Sequence, residues 1–177
     1  MMSDLEAMSE RVISAMEGIA GLSDLSVSEL RRIPLGTLRK GTYRLQGVCR
    51  YKKGTRQRIA NGTAKGPAEV RCIDLHPLLL NEEWSRYADH VLFHEYLHAL
   101  LPEAGHGPEF RARESLWPDS EAIAMKERFG YFIRERRPDI MKWELLCPNC
   151  DYRYLSKKPL VGARCRKCKT TLLNEER

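Results

Sequence analysis

The sequence predicts an α+β fold in which a larger domain, with a small antiparallel sheet and a metal-binding helix, precedes a C-terminal four-cysteine zinc ribbon. Three observations predict it. The run His94-Glu95-Tyr96-Leu97-His98 lies inside an apolar stretch of helical length. Residues 42–51 and 68–75 alternate β-branched or aromatic side chains with polar ones, as half-buried strands do. Two CxxC pairs, Cys147-Pro148-Asn149-Cys150 and Cys165-Arg166-Lys167-Cys168, stand fourteen residues apart. The expected domains are residues 1–140 and 141–177.

In chain order, Leu5, Met8, Val12, Met16 and Ile19 recur at helical spacing, which predicts an amphipathic helix over 3–20 with an acidic outer face. Ser26 and Glu29 have the spacing of a capping box for a short helix ending near Pro34. The two strands follow, joined by a mobile basic loop containing Gly54, Gly62 and Gly66. A helix over 82–101 carries the histidine pair, and Pro108 suits the first turn of another helix running to about 116. Residues 117–120 interrupt, a helix over 121–136 ends before Pro138, and a short charged linker leads to the ribbon near Met141.

The chemistry resides in the histidines. Residues four apart on a helix lie one above the other, so His94 and His98 can hold one Zn²⁺ with Glu95 beside it. A catalytic zinc takes three protein ligands and keeps a fourth position open. Pro102 and Gly105 let the chain leave the helix and turn back, which brings His106 within reach as the third. Zinc there would lower the pKa of its water to about 7 and polarise a carbonyl, with Glu95 as general base, so the expected reaction is peptide-bond hydrolysis. A five-residue HExxH run also arises by chance in unrelated helices, and a degenerate or purely structural site is the competing reading. His90 falls on the same helix face, but a single tetrahedral ion cannot span from it to His98, so it reads as a packing residue. His76, before Pro77, also reads as structural.

Two CxxC turns close a tetrahedral four-thiolate site with no open position, which makes Cys147, Cys150, Cys165 and Cys168 ligands of a structural zinc. The cofactor expectation is therefore two Zn²⁺, one catalytic and one structural. Two disulfides in a secreted protein would be the alternative, but the acidic N-terminus lacks the pattern of a signal peptide. Cys49 and Cys72 fall in the strands and read as buried free thiols. No apolar run approaches the length of a membrane span, so the expected location is intracellular, in cytoplasm, nucleoid or nucleus.

The formal charge of +6 is segregated along the chain. Residues 31–71 carry twelve Lys or Arg against the single acid Glu69, whereas residues 1–30 carry one Arg against six acids. Residues 72–140 have eight basic and thirteen acidic side chains, and residues 141–177 nine and four. Clustered cations are the electrostatic footprint of phosphate-backbone binding. Arg50, Tyr51, Lys52, Lys53, Arg56 and Arg58, which combine cations with an aromatic ring, are the candidate DNA contacts. A solvated loop that only aids solubility is the plainer reading of the same run.

With these pieces assembled, the chain resembles the SprT-like zinc metallopeptidases, the family that includes the DNA-dependent protease Spartan. The matching residues are His94-Glu95-Tyr96-Leu97-His98-Ala99-Leu100, then His106-Gly107-Pro108-Glu109-Phe110, then the four ribbon cysteines. The resemblance implies a zincin-like domain with His94, His98 and His106 on zinc and Glu95 as base. It also implies a protease stimulated by DNA that digests proteins crosslinked or bound to DNA. The loop between His98 and His106 is shorter than in the Spartan branch, and no long tail of partner-binding peptides is seen. Two other functions remain open: a general intracellular zinc peptidase not gated by DNA, and a ribbon-based nucleic-acid-binding factor with a vestigial peptidase site. Tyr131 is a candidate oxyanion donor.

Overall fold

A computed structural model describes residues 4–39 and 41–177. The chain divides into two compact units, the first running to Ala124 and the second covering Met125–Arg177. The fold is α+β with two small three-stranded sheets, one in each unit.

The first helix, α1 (Asp4–Glu17), buries Met8, Val12 and Met16 of the expected stripe together with Ile13, while Leu5 and Ile19, the latter beyond the helix end, are half-buried. Its acidic outer face is partly matched, since Arg31 donates to Glu10 at 3.1 Å and to Glu17 at 2.7 Å. The expected capping box does not form. Ser26 precedes a 3₁₀ turn over Val27–Arg32 and its hydroxyl makes no capping bond, while Glu29 is held through its backbone N–H to the Ser26 carbonyl at 3.1 Å.

The first sheet comprises β1 (Leu35–Thr37), β2 (Gly47–Tyr51) and β3 (Val70–Leu75) in the order β1-β3-β2. It is mixed, which corrects the expectation of a purely antiparallel sheet: β2 pairs antiparallel with β3, but the short β1 lies parallel to it. Taking the centre leaves β3 with fully buried Ile73 and Leu75. The expected mobile loop between β2 and β3 is instead ordered around a helix, α2 (Thr55–Ala60). Its anchor is Glu69, which is buried and accepts from Thr55 Oγ1 at 2.9 Å and Arg58 Nε at 2.8 Å. Bonding to Arg58, reinforced by Thr55, holds the Glu69 carboxyl down to about 2.

A 3₁₀ turn over Glu82–Trp84 leads into α3 (Ser85–Leu100), in which eleven of sixteen residues are buried. That proportion makes it a central helix rather than a one-faced covering helix. It packs against α1 through Tyr96 OH and Ser9 Oγ at 2.7 Å, and through the paired Arg11–Asp89 bonds at 2.7 and 2.9 Å. The next helix, α4 (Pro108–Glu114), begins on proline, whose fixed φ suits a first turn. Asp119 then accepts from the Ala122 N–H at 3.0 Å and from Arg86 on α3, capping α5 (Ser120–Glu135).

The division between the units falls within α5, ahead of the boundary expected at residue 140. The reason is local: Tyr131 donates to Glu144 at 2.8 Å and the Arg134 guanidinium lies 4.8 Å from the Tyr154 ring, so late α5 belongs with the ribbon strands. Those strands are β4 (Trp143–Leu146), β5 (Arg153–Ser156) and β6 (Leu173–Glu176), an antiparallel sheet in the order β5-β4-β6. Leu145, Cys147, Tyr152, Cys165 and Leu172 form its small core. Among the described residues, no helix is long and apolar enough to cross a membrane.

Candidate metal centre

Helix α3 presents His94 and His98 one turn apart on a single face. Beyond Leu100 the chain reverses through two tight turns, with the Ala104 N–H bonded to Leu101 O and the Gly107 N–H to Ala104 O. Gly105 takes φ +51°, a left-handed conformation that glycine adopts without steric cost, and this turn returns His106 to the face of α3. His106 Nε2 lies 3.1 Å from His98 Nε2 and 3.2 Å from His94 Nε2. Two nitrogens on a tetrahedral zinc with bonds of about 2.0–2.1 Å stand about 3.3 Å apart, so this donor set fits the ion.

Helix α4 backs this cluster. Phe110 is fully buried, and its ring centroid lies 5.1, 4.4 and 5.1 Å from the imidazoles of His94, His98 and His106. One turn on, Glu114 Oε1 accepts from His94 Nδ1 at 2.6 Å. Burial, with the neighbouring His94 and His106 charges, pushes the His98 imidazole down to about 4, which favours the neutral ring that a metal ligand requires.

Glu95 is buried and turned toward β2. Burial pushes its carboxyl up to about 7, against the opposing effects of His94 and of the Cys49 backbone hydrogen bond. A Cβ built on Gly47 would meet Glu95 Cγ and Oε1 at 2.8 Å and Val91 Cγ1 at 2.9 Å. Glycine at 47 is thus the space in which the carboxylate sits, a role with no motif to announce it. Gly47→Ala is expected to displace Glu95 and to cost about 1–3 kcal/mol of stability, the usual range for overpacking. Melting measurements check this, and an unchanged melting temperature would count against it.

Residues 35–117 match the SprT-like family. The SprT-like segment runs from β1 to Trp117 and includes all three histidines, Glu95, Phe110 and Glu114. Comparisons with curated proteins and with solved structures returned no match. The ribbon and α5 lie beyond the SprT-like segment.

Around the three histidines, the remaining candidates separate by role. His90 is buried among the rings of Tyr87, Phe93 and Trp117, at 6.1, 6.5 and 6.5 Å. His76 accepts the Leu78 N–H at Nδ1 and places Nε2 2.9 Å from Thr42 O, so it holds a turn. Of the six proposed DNA contacts, three are engaged internally: Arg50 pairs with Asp74 at 2.5 Å, Arg58 with Glu69, and Tyr51 donates to His98 O at 2.7 Å. Tyr51 thus steadies the end of α3 beside a candidate ligand. Lys52, Lys53 and Arg56 are exposed. Cys49 and Cys72 are half-buried free thiols, and burial pushes Cys49 up to about 12. The Tyr131 hydroxyl is given to Glu144 within the second unit, which removes the support for an oxyanion role.

In the second unit the four cysteine sulfurs converge, with Cys147–Cys168 at 3.4 Å, Cys150–Cys165 at 3.6 Å and Cys150–Cys168 at 3.9 Å. Sulfurs on a tetrahedral zinc with bonds of about 2.3 Å stand about 3.8 Å apart, so these thiols also fit the ion. Bonding to Thr170, whose Oγ1 lies 3.3 Å from Cys168 Sγ, holds that thiol down to about 5.

Proposed function

We propose that the protein is a zinc-dependent metalloendopeptidase, stimulated by DNA, that cleaves proteins crosslinked or bound to DNA. The observation that carries the peptidase reading is the convergence of His94, His98 and His106 Nε2 atoms next to the buried Glu95. His94, His98 and His106 hold the catalytic zinc, and Cys147, Cys150, Cys165 and Cys168 a structural one. When bound, the catalytic ion activates a water and polarises the scissile carbonyl. Glu95 accepts the proton of the attacking water and returns it to the departing amine nitrogen. Gly47 and the Cys49 backbone keep the carboxylate on the β2 side, and Phe110 holds the three imidazoles in one arrangement.

Charge supports the DNA part of the reading. Lys52, Lys53 and Arg56 are exposed, and the second unit adds exposed Lys158, Arg164 and Lys169. The test is cleavage of one protein substrate, free and crosslinked to single- or double-stranded DNA, across a salt series. Cleavage stimulated by DNA is the expected result. Replacing Lys52, Lys53 and Arg56 with alanine should weaken the stimulation and flatten its salt dependence, by about 0.7–0.9 in log–log slope for each phosphate that is no longer neutralised. Cleavage indifferent to DNA would instead identify a general peptidase, and DNA binding without cleavage a nucleic-acid-binding factor.

A further inference from the structure

We propose that Glu114 is a positioning residue for the metal centre: it fixes the tautomer and orientation of His94 so that Nε2 faces the ion. The inference rests on the zinc reading above and concerns a residue outside the histidine motif.

A carboxylate can only accept, so at 2.6 Å the proton between Glu114 Oε1 and His94 Nδ1 belongs to the imidazole. A neutral ring protonated at Nδ1 has its lone pair at Nε2, the atom that points at His106 Nε2. Without the carboxylate, the ring could carry its proton on Nε2 and would then be unable to bind a metal there. The short charge-assisted bond also raises the electron density of the ring and so strengthens it as a ligand.

Glu114 can do this because α4 is itself tied down at several points. Phe110, one turn before Glu114 on the same helical face, packs against all three imidazoles. Arg111 Nε donates to the His106 carbonyl at 3.1 Å, which links the helix to the third histidine. Arg113 bonds both carboxylate oxygens of Asp24, at 2.7 and 2.8 Å, and also the Gly21 carbonyl. A carboxylate on an anchored helix can select one ring orientation; one on a loose loop would follow the ring instead. The Glu114 and His94 side chains are 27% and 21% exposed, so water only partly screens the bond.

The experiment is zinc competition on the full chain against chelators of graded affinity, with the cysteine-held zinc as internal reference. Glu114→Ala should weaken zinc binding at the histidine site by about 10–100-fold and leave the reference zinc unchanged. Glu114→Gln keeps an acceptor for the Nδ1 proton, so it should recover part of that loss. Nitrogen-detected spectra of the zinc-loaded protein should show a His94 Nδ1–H that exchanges slowly in the wild type, where Glu114 holds it, and faster with water in Glu114→Ala. An ion pair that merely stabilised the fold would lower the melting temperature and leave both readings unmoved. Equal zinc affinity in wild type and both variants, or a His94 Nδ1–H that exchanges as slowly in Glu114→Ala as in the wild type, would overturn the inference while leaving the peptidase reading intact. A wild type that takes up zinc only on its cysteines would overturn both.

Discussion

Glu95→Gln is expected to reduce peptide hydrolysis by about 10²–10⁴-fold, the usual contribution of a positioned general base. The amide is nearly isosteric with the carboxylate, so it fits the space above Gly47 and still accepts the hydrogen bond from the Cys49 backbone. It cannot take a proton from water. The three imidazoles are untouched, so zinc content at the histidine site should equal that of wild type. Stability moves the opposite way from activity: glutamine removes an ionisable group whose charged form is disfavoured by burial, so the melting temperature should hold or rise. Turnover measured alongside zinc stoichiometry and melting separates these effects. Variant turnover close to wild type would exclude Glu95 as the base, and loss of zinc together with activity would mean that the residue serves the metal rather than the proton.

The histidine pair and its third partner were legible because each depends on local rules. Four-residue spacing puts His94 and His98 on one face whatever surrounds them, and Pro102, Gly105 and Pro108 mark where the chain leaves one helix and enters the next. The ribbon was legible for a similar reason, since each CxxC turn presents its two sulfurs through local geometry. What the sequence hid was non-local. The three-residue β1 exists only because β3 pairs with it, and it carries too few residues to show a period. Charge misled in an instructive way. Residues 31–71 contain one acid, Glu69, and the fold gives it to Arg58, while Arg50 finds Asp74 on the adjacent strand. A basic run in sequence is therefore a smaller basic patch in three dimensions.

Glu114 lies between these cases. It stands twenty residues from His94, so no spacing rule joins them. Yet it falls four residues after Phe110, on the face of α4 from which Phe110 meets the histidines. On that face an acid at i+4 is placed to reach what Phe110 touches. Gly47 had no such signal. Its meaning is the nearness of a side chain from α3, and nothing in the strand itself reports that.

Removing the cysteine-held zinc should unfold the second unit. The cluster that joins its cysteine turns to the sheet is small, Leu145, Tyr152 and Leu172 around Cys147 and Cys165, and two of those five residues are themselves the proposed ligands. Phe129, Ile133, Met141 and Leu155 are also buried in this unit, but a unit of about 50 residues is marginal on apolar burial alone, whereas structural zinc contributes about 10–16 kcal/mol in comparable peptides. Cys165→Ser leaves three thiolates and places a polar hydroxyl at a position with no solvent exposure, so the substitution should resemble chelation even in excess zinc. Hydrogen exchange makes the expectation specific to each metal. With Cys165→Ser, amides of β4, β5 and β6 should lose protection while those of β3 and α3 keep it. With His98→Ala the ribbon amides should stay protected, because that site holds no part of their core. Retained protection in β4 after complete zinc removal would mean that the apolar cluster suffices by itself, and that the four cysteines serve a purpose other than holding the unit together.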